Sequence, residues 1–470
     1  MHPGTLPRRA FLKGAGGALL AAAQGRAAAP QPPNFVLILC DDLGYGDLHC
    51  YGSQIPTPNI DQMAREGVRF EQFYSTSNVC SPSRASLLTG RYAPRVGVPD
   101  VIASDAPIGL AKDETTIAEM LRPVGYRSMC VGKWHLGRHP QYLPTNRGFD
   151  EYYGIPYSND MAPSVLLRDQ SVIESPVQLN TLTQRYTQQA VNFIQRAQGS
   201  PFFLFLSHTF PHIPLAASAA FNGKSGMGLY ADVVEELDWS VGRVLQSLKD
   251  NGVDNNTMVI LTSDNGPWYQ GSAGRLRGRK GSSYEGGVRE PFIARWPGQI
   301  PPGALRARGP RVSRVMASTL DILPTLARLS NATLPAKPLD GLDIWPVLAG
   351  QPMTAQRDVF LYFDSWNLQC ARMGPWKLHV ARYDDFAWSP DPAGGRHNLP
   401  LMHPELYNLE NDPDESYDVA AQNPQIVADI QQRIQQLLPT FPAQVMNSWQ
   451  ATMAMKVAPT PEGALPAVQP

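Results

Sequence analysis

A doubly wound α/β fold follows from three observations. Four short apolar runs, FVLIL (35–39), YRSMCV (126–131), FFLFL (202–206) and MVILT (258–262), have strand length and lack clean alternation, as strands buried on both faces do. Segments with helix start and stop signals lie between them, the alternation expected of helices packed on a mostly parallel sheet. Each apolar run ends in a polar cluster: CDDLG, GKWHLG, SHTFPH and SDNG. Open α/β sheets place their ligands at the carboxyl ends of strands, so four such clusters predict one active edge.

The first helix starts at Thr57-Pro58, with a threonine cap, and stops at Gly67. TTIAEMLRPVGY (115–126) is a second, feeding the strand at 126. Around NVCSPSRASLLTGRY, Ser81 as cap, Pro82 in the first turn and Gly90 as stop predict a helix over 82–89 with Cys80 just before its N-terminus. Free backbone N–H groups there favour an anion, and Arg84 sits one turn in. A plain cysteine in that place is expected to be a low-pKa thiolate.

Past residue 330 a proline- and glycine-rich crossing segment precedes β-like pieces DVFLYF (358–363) and WKLHVARY (376–383). Asn423 and Pro424 then open an amphipathic helix with Ile426, Ile430 and Ile434 on one face, ended by Pro439. These predict a smaller C-terminal sheet-plus-helix domain. The expected organisation is a leader over 1–29, a catalytic domain over 33–355, the smaller domain over 356–440 and an extended tail over 441–470.

With 470 residues, 43% of them hydrophobic, the chain has material for a large core and more than one domain. A net charge of -1 excludes a basic field for nucleic acid or anionic membrane. The N-terminal PRRAFLKGAGGALLAAAQGRAAAP looks like a twin-arginine export signal, with Arg8 and Arg9 before a short apolar stretch and Ala27, Ala28 and Ala29 as a cleavage site. It implies a periplasmic mature chain from about Pro30, with no membrane insertion. Cys40, Cys50, Cys80, Cys130 and Cys370 are odd in number and far apart, so two bridges at most could form.

Asp41 and Asp42 follow one strand and Asp264 and Asn265 another, a set of hard oxygen donors suited to calcium or magnesium. Lys133 and His135 are two apart and share one side of an extended stretch. His212 follows a third strand, and Lys280 lies in a glycine-flanked loop. With Arg84 they supply three cations and two imidazoles, the equipment for an anionic tetrahedral ester.

CSPSR and its continuation ASLLTGRY, with GKWHLG, GIPYSND, SDNG and RKGSSYEGGVREP in order, resemble the type I, formylglycine-dependent sulfatases from about residue 33 to about 440. The resemblance is particularly to the arylsulfatase A-like and N-acetylgalactosamine-6-sulfatase-like members. The resemblance implies an alkaline-phosphatase-like doubly wound mixed sheet flanked by helices. It implies that Cys80 is oxidised to formylglycine by a formylglycine-generating enzyme before export. It further implies one calcium ion on Asp41, Asp42, Asp264, Asn265 and residue 80, attack on a sulfate ester by the formylglycine hydrate, and a sulfated enzyme. His212 with Lys280 then serves the leaving oxygen, His135 deprotonates the second hydroxyl, Arg84 and Lys133 hold the anion, and Ser158 contacts substrate. His212 is chosen over His208 because it precedes a proline by two residues, leaving His208 as a neighbour. Two other readings stay open: a phosphate or phosphonate ester hydrolase of the same superfamily, and a non-catalytic sulfated-glycan-binding protein. Specificity is expected from 93–113, 157–185 and the C-terminal domain.

Overall fold

The computed structural model describes residue 1 and residues 32–197, 199–302, 311–353, 355–383 and 398–455. The expected leader at 1–29, apart from residue 1, lies outside the described residues. In chain order the large sheet contains β1 (Asn34–Cys40), β2 (Val68–Tyr74), β3 (Arg127–Gly132), β4 (Glu151–Gly154), β5 (Leu166–Arg168), β6 (Ser171–Glu174), β7 (Phe202–Ser207), β8 (Thr257–Ser263), β9 (Arg289–Arg295), β10 (Arg311–Ser313) and β11 (Ala317–Ser318). A four-stranded antiparallel sheet follows: β12 (Phe360–Asp364), β13 (Asn367–Met373), β14 (Trp376–Tyr383) and β15 (Asn398–Asn408). The helices are α1 (Pro58–Glu66), α2 (Cys80–Thr89), α3 (Ile117–Leu121), α4 (Leu182–Arg196), α5 (Leu229–Asp250), α6 (Glu285–Val288), α7 (Ile322–Ser330), α8 (Trp345–Leu348), α9 (Pro424–Leu437) and α10 (Ala443–Ala454).

The order of the large sheet is β10-β2-β9-β8-β1-β7-β3-β4-β5-β6, with β11 on β2. The four apolar runs are β8, β1, β7 and β3, adjacent and parallel at its centre. Side chains alternate between two helical layers. Phe35, Leu37 and Leu39 join the core made by α2, α3 and α7, whereas Val36, Ile38 and Cys40 join that made by α1, α4 and α5. The sheet is therefore mixed and doubly wound, with β9 antiparallel to both β8 and β2.

Residues pair across the strand ends as Leu39 with Ser207, Cys40 with Ser263 and Gly132 with Ser207, so the segments that follow leave the sheet at one level. Gly132 has φ 107, and a Cβ there would fall 1.8 Å from the Ser207 carbonyl oxygen. Only glycine lets the chain turn there and deliver Lys133 and His135 to the edge.

Local details differ from the sequence reading. α2 begins at Cys80 itself, and Ser81 does not cap it: the Ser81 hydroxyl accepts from Ile102 N–H. Thr57 precedes α1, but its hydroxyl binds Asp61 and His49 N–H instead of capping. Asn423 makes no side-chain cap, and its amide donates to Val419 O. Residues 443–454 form α10, where an extended tail was expected; 456–470 lie outside the described residues. All five cysteines are free thiols. No helix among the described residues is long and apolar enough to cross a membrane.

The small sheet has its own core, closed by α9 through Ile430 and Ile434, both fully buried. Ile434→Ala should lower stability by roughly 2–5 kcal/mol through the lost burial and residual cavity. The measurement is a denaturant midpoint, and an unchanged midpoint would show that α9 does not hold this core.

Candidate active site

Four strand ends, the first turn of α2, the loop before α6 and the segment after β4 bring the predicted residues to one buried cluster. The oxygens of Asp41, Asp42 and Asp264 lie within 4.8 Å of one another, and the ligand atoms of Asp41, Cys80 and His212 do likewise. Asp42 has φ 63, a left-handed turn that aims it back over the sheet edge, and its N–H donates to Asp264 Oδ1 at 3.2 Å.

Three cations oppose these carboxylates. Arg84 is fully buried; its Nε and Nη2 donate to Asp264 Oδ2 at 3.0 and 2.8 Å, and its Nη1 donates to Lys133 O and Ser207 Oγ. Lys133 Nζ lies 2.5 Å from Asp41 Oδ2 as an ion pair, without the angular geometry of a hydrogen bond, and donates to Ser158 Oγ at 3.1 Å. Lys280 Nζ reaches both Asp42 oxygens, at 2.8 and 2.9 Å. Burial disfavours the Asp41 carboxylate, yet Lys133, His212 and Arg84 outweigh it and hold the group well below the usual carboxylate range. Asp264 goes the other way, to about 7, because burial and the Asp41 charge together exceed the pull of Arg84. Three carboxylates this close strain even a matched set of cations.

Asn265 donates through Nδ2 to Asp42 Oδ1 at 2.7 Å and leaves Oδ1 buried without a hydrogen-bond partner. An orphaned amide oxygen beside three carboxylates is a donor set that a hard divalent cation would complete. The residues fit the expected metal.

Both histidines have defined tautomers in these surroundings. His135 Nε2 donates to Ile102 O at 3.0 Å, which leaves Nδ1 as the buried, unpartnered acceptor. Burial, then Lys133 and Arg84, push its imidazolium well below the ordinary value, so the ring is a neutral base. His212 Nδ1 donates to Ile213 O at 2.5 Å, turning Nε2 towards Asp42 Oδ2, 3.7 Å away. Burial and Lys280 lower its pKa as well.

Cys80 departs from expectation. Burial raises its thiol above the ordinary value despite Lys133 and Lys280, so an unmodified cysteine here is a neutral thiol and not a low-pKa thiolate. His208 belongs elsewhere: it is buried in the core beside Tyr186, with Nε2 3.2 Å from Ser240 Oγ on α5.

Sequence reasoning missed Ser207, which accepts from Arg84, and Asn78, whose carbonyl accepts from Gly281 N–H and ties the Cys80 segment to the Lys280 loop. Ser207 was legible as the first polar residue of its strand end; Asn78 carried no signal. A cleft of about 1260 Å³ lies over the loops after the acidic residues, lined by Tyr45, Asp47, Arg275 and Arg289 among others. None of the predicted site residues lines it, so volume alone does not locate this chemistry.

The sulfatase family model matches residues 33–332, and that of the C-terminal region of aryl-sulfatase matches 355–467. The chain belongs to the sulfatase family. This sulfatase is 39% identical over 463 residues to arylsulfatase A of Homo sapiens, covering 88% of this chain and 89% of that one. It is 36% identical over 478 residues to N-acetylgalactosamine-6-sulfatase of Homo sapiens, covering 90% of each. Among solved structures, the PsFucS1 sulfatase from Pseudoalteromonas sp. superposes with a TM-score of 0.76 at 26% identity, covering 91% of this chain and 92% of that one. Ps i-CgsB in complex with k-i-k-neocarrahexaose gives 0.74 at 28% identity, covering 91% and 98%. The sulfatase is a sulfuric ester hydrolase, and neither the phosphate-ester nor the non-catalytic reading is favoured by these matches.

His208 provides a separable test of the interior. Burial holds its pKa at about 3, against about 6.5 for the unfolded ring, so its neutral form adds stability above 6.5 that is lost as pH falls towards 3. The native protein should lose up to about 1.4 kcal/mol per pH unit from this group across that window. His208→Gln should flatten that slope in denaturant melts from pH 6.5 to 4.5, and an equal slope in both proteins would exclude a neutral, buried His208.

Proposed function

We propose that this sulfatase cleaves aryl or carbohydrate sulfate monoesters through a formylglycine made from Cys80. The supporting observation is the approach of Cys80 to Asp41 and His212, beside the Asp41, Asp42 and Asp264 cluster. A neutral thiol buried among lysines is a poor nucleophile toward sulfur, whereas an aldehyde hydrate at the same carbon offers two hydroxyls. Asp41, Asp42, Asp264 and Asn265 would hold a calcium ion, one per chain, which when bound supplies positive charge that favours deprotonated oxygen and neutralises the ester.

Arg84, Lys133 and Lys280 balance the three carboxylates, so a divalent cation leaves surplus positive charge for an anionic ester. Lys133 and Ser158 are a hydrogen-bonded pair on the sulfate side. One hydroxyl of residue 80 gives its proton to His212 Nε2 and attacks sulfur, the S–O bond to the departing alcohol or phenol breaks, and that oxygen takes the proton from His212 Nε2 with a hydrogen bond from Lys280 Nζ. The remaining hydroxyl of residue 80 gives its proton to His135 Nδ1. The C–O bond to sulfate then breaks, which releases inorganic sulfate and restores the aldehyde without water attacking sulfur.

The catalytic domain is assigned to 33–355, with 356–440 as the smaller domain. A formylglycine-generating enzyme modifies Cys80 before a twin-arginine leader carries the folded chain to the periplasm. The family relationship and the RR-containing N-terminus support this order of events.

Mass spectrometry of the peptide bearing residue 80, from the native host, should show the exchange of CH2SH for an aldehyde, and an intact thiol in active enzyme would exclude the nucleophile. Cys80→Ser keeps one hydroxyl and loses the elimination, so it should release at most one phenol per chain and then stop. Sustained turnover by that variant would sink the mechanism. Removing divalent metal with a chelator should abolish turnover, and calcium should restore it; full activity without metal would refute the assignment of Asp41, Asp42, Asp264 and Asn265.

A further inference from the structure

The small sheet carries a second buried charge network that the reaction does not use directly. Lys377 on β14 and Glu415 are fully buried, as is Glu285 of α6. Lys377 Nζ donates to Ser283 O at 2.8 Å and lies 3.0 Å from Glu285 Oε1 and 3.1 Å from Glu415 Oε1. Glu415 Oε2 accepts from Glu285 N–H at 2.6 Å, and its Oε1 lies 2.6 Å from His379 Nε2. Ser283 Oγ donates to Gln369 Oε1 on β13 at 2.6 Å. Cys370 Sγ, 3.2 Å from His379 Nδ1, completes a Cys-His-Glu row, but the thiol is fully buried and burial raises it to about 12. The row is not a nucleophile.

Apolar side chains of similar size would fill this space at equal or better stability, since desolvating two carboxylates and an ammonium is costly. What apolar side chains could not do is grip a backbone. Every bond to Ser283 and Glu285 fixes the chain three to five residues after Lys280. On the near side, Gly281 N–H donates to Asn78 O at 2.9 Å, and Asn78 Nδ2 donates to Asp364 Oδ2 on β12 at 3.0 Å. Ser77 forms an isolated bridge to Phe363 of the same strand. The small sheet thus holds the segment before Cys80 through its edge strand β12 and the loop bearing Lys280 through its inner strands β13 and β14.

We infer that Lys377 and Glu415 are positioning residues: through 281–285 they set the Lys280 ammonium against Asp42 and the departing oxygen. The inference rests on the leaving-group role of Lys280 proposed above. It places the small sheet in the reaction through a clamp, with no contact to substrate.

The test is kinetics on aryl sulfates whose phenols rise in pKa, for the native enzyme, Lys280→Ala, Lys377→Met, Glu415→Gln and the Lys280→Ala/Lys377→Met pair. Misplacing Lys280 should lower kcat/KM on the order of tenfold to a hundredfold. The loss should grow with phenol pKa, as it does in Lys280→Ala. The double variant should be no slower than Lys280→Ala alone, because both changes remove one interaction, and Lys377→Arg should recover most of the activity. A loss equal for all phenols, no loss, or losses that multiply in the double variant would overturn the clamp. If Lys377→Met does not fold, Glu415→Gln and Ser283→Ala carry the same comparison. A leaving-group slope in Lys280→Ala that the clamp variants lack defeats the clamp alone; its absence in Lys280→Ala defeats the Lys280 role and the clamp together.

Discussion

Three carboxylates forced together at the end of a parallel sheet are the constraint from which the site follows. Asp41, Asp42 and Asp264 have almost no exposure, so their repulsion is not relieved by water. The fold answers with buried cations on three separate elements: Arg84 on α2, Lys133 after β3 and Lys280 in the loop before α6. Asp264 still sits well above the carboxylate range, and Asn265 still has an unused oxygen. An arrangement that is costly alone is a good receptor for a divalent cation and, behind it, an anion.

Burial also sorts the titratable groups by task. The same exclusion of water that makes His135 a neutral base makes Cys80 a neutral thiol. The proposed formylglycine would put an oxygen nucleophile where that neutral thiol is a poor one. His208, only four residues from His212, is buried beside Tyr186 of α4 and meets a serine of α5. Two histidines in one short segment therefore differ because His208, directly after the strand, packs into the core, whereas His212, farther along the loop, reaches the acidic cluster.

The central strands, and the polar clusters after them, were legible because a continuous apolar run ending in charge is an uncommon local pattern. β2 and β9 were not. VRFEQFY interleaves polar residues, and REPFIAR begins and ends in arginines whose charges are met by Glu285, Asp254 and Glu66 from elsewhere in the chain. Capping by Ser81 and Asn423 failed for a related reason: Ser81 lies inside α2, and both side chains found partners outside the helix. The expectation of a low-pKa thiolate at Cys80 counted a helix terminus and Arg84 but not desolvation, which no local stretch of sequence reports.

By itself the sequence determined the kind of sheet, its four central strands, and nearly every group that meets at its edge, because these depend on local hydrophobic patterning and on which residue types follow a strand. Tertiary structure alone decided which oxygens each cation reaches, which face His208 takes, and that a small C-terminal sheet grips the Lys280 loop. Those outcomes are set by distances between segments up to several hundred residues apart, and by burial, which belongs to the packed molecule and to no stretch of its chain.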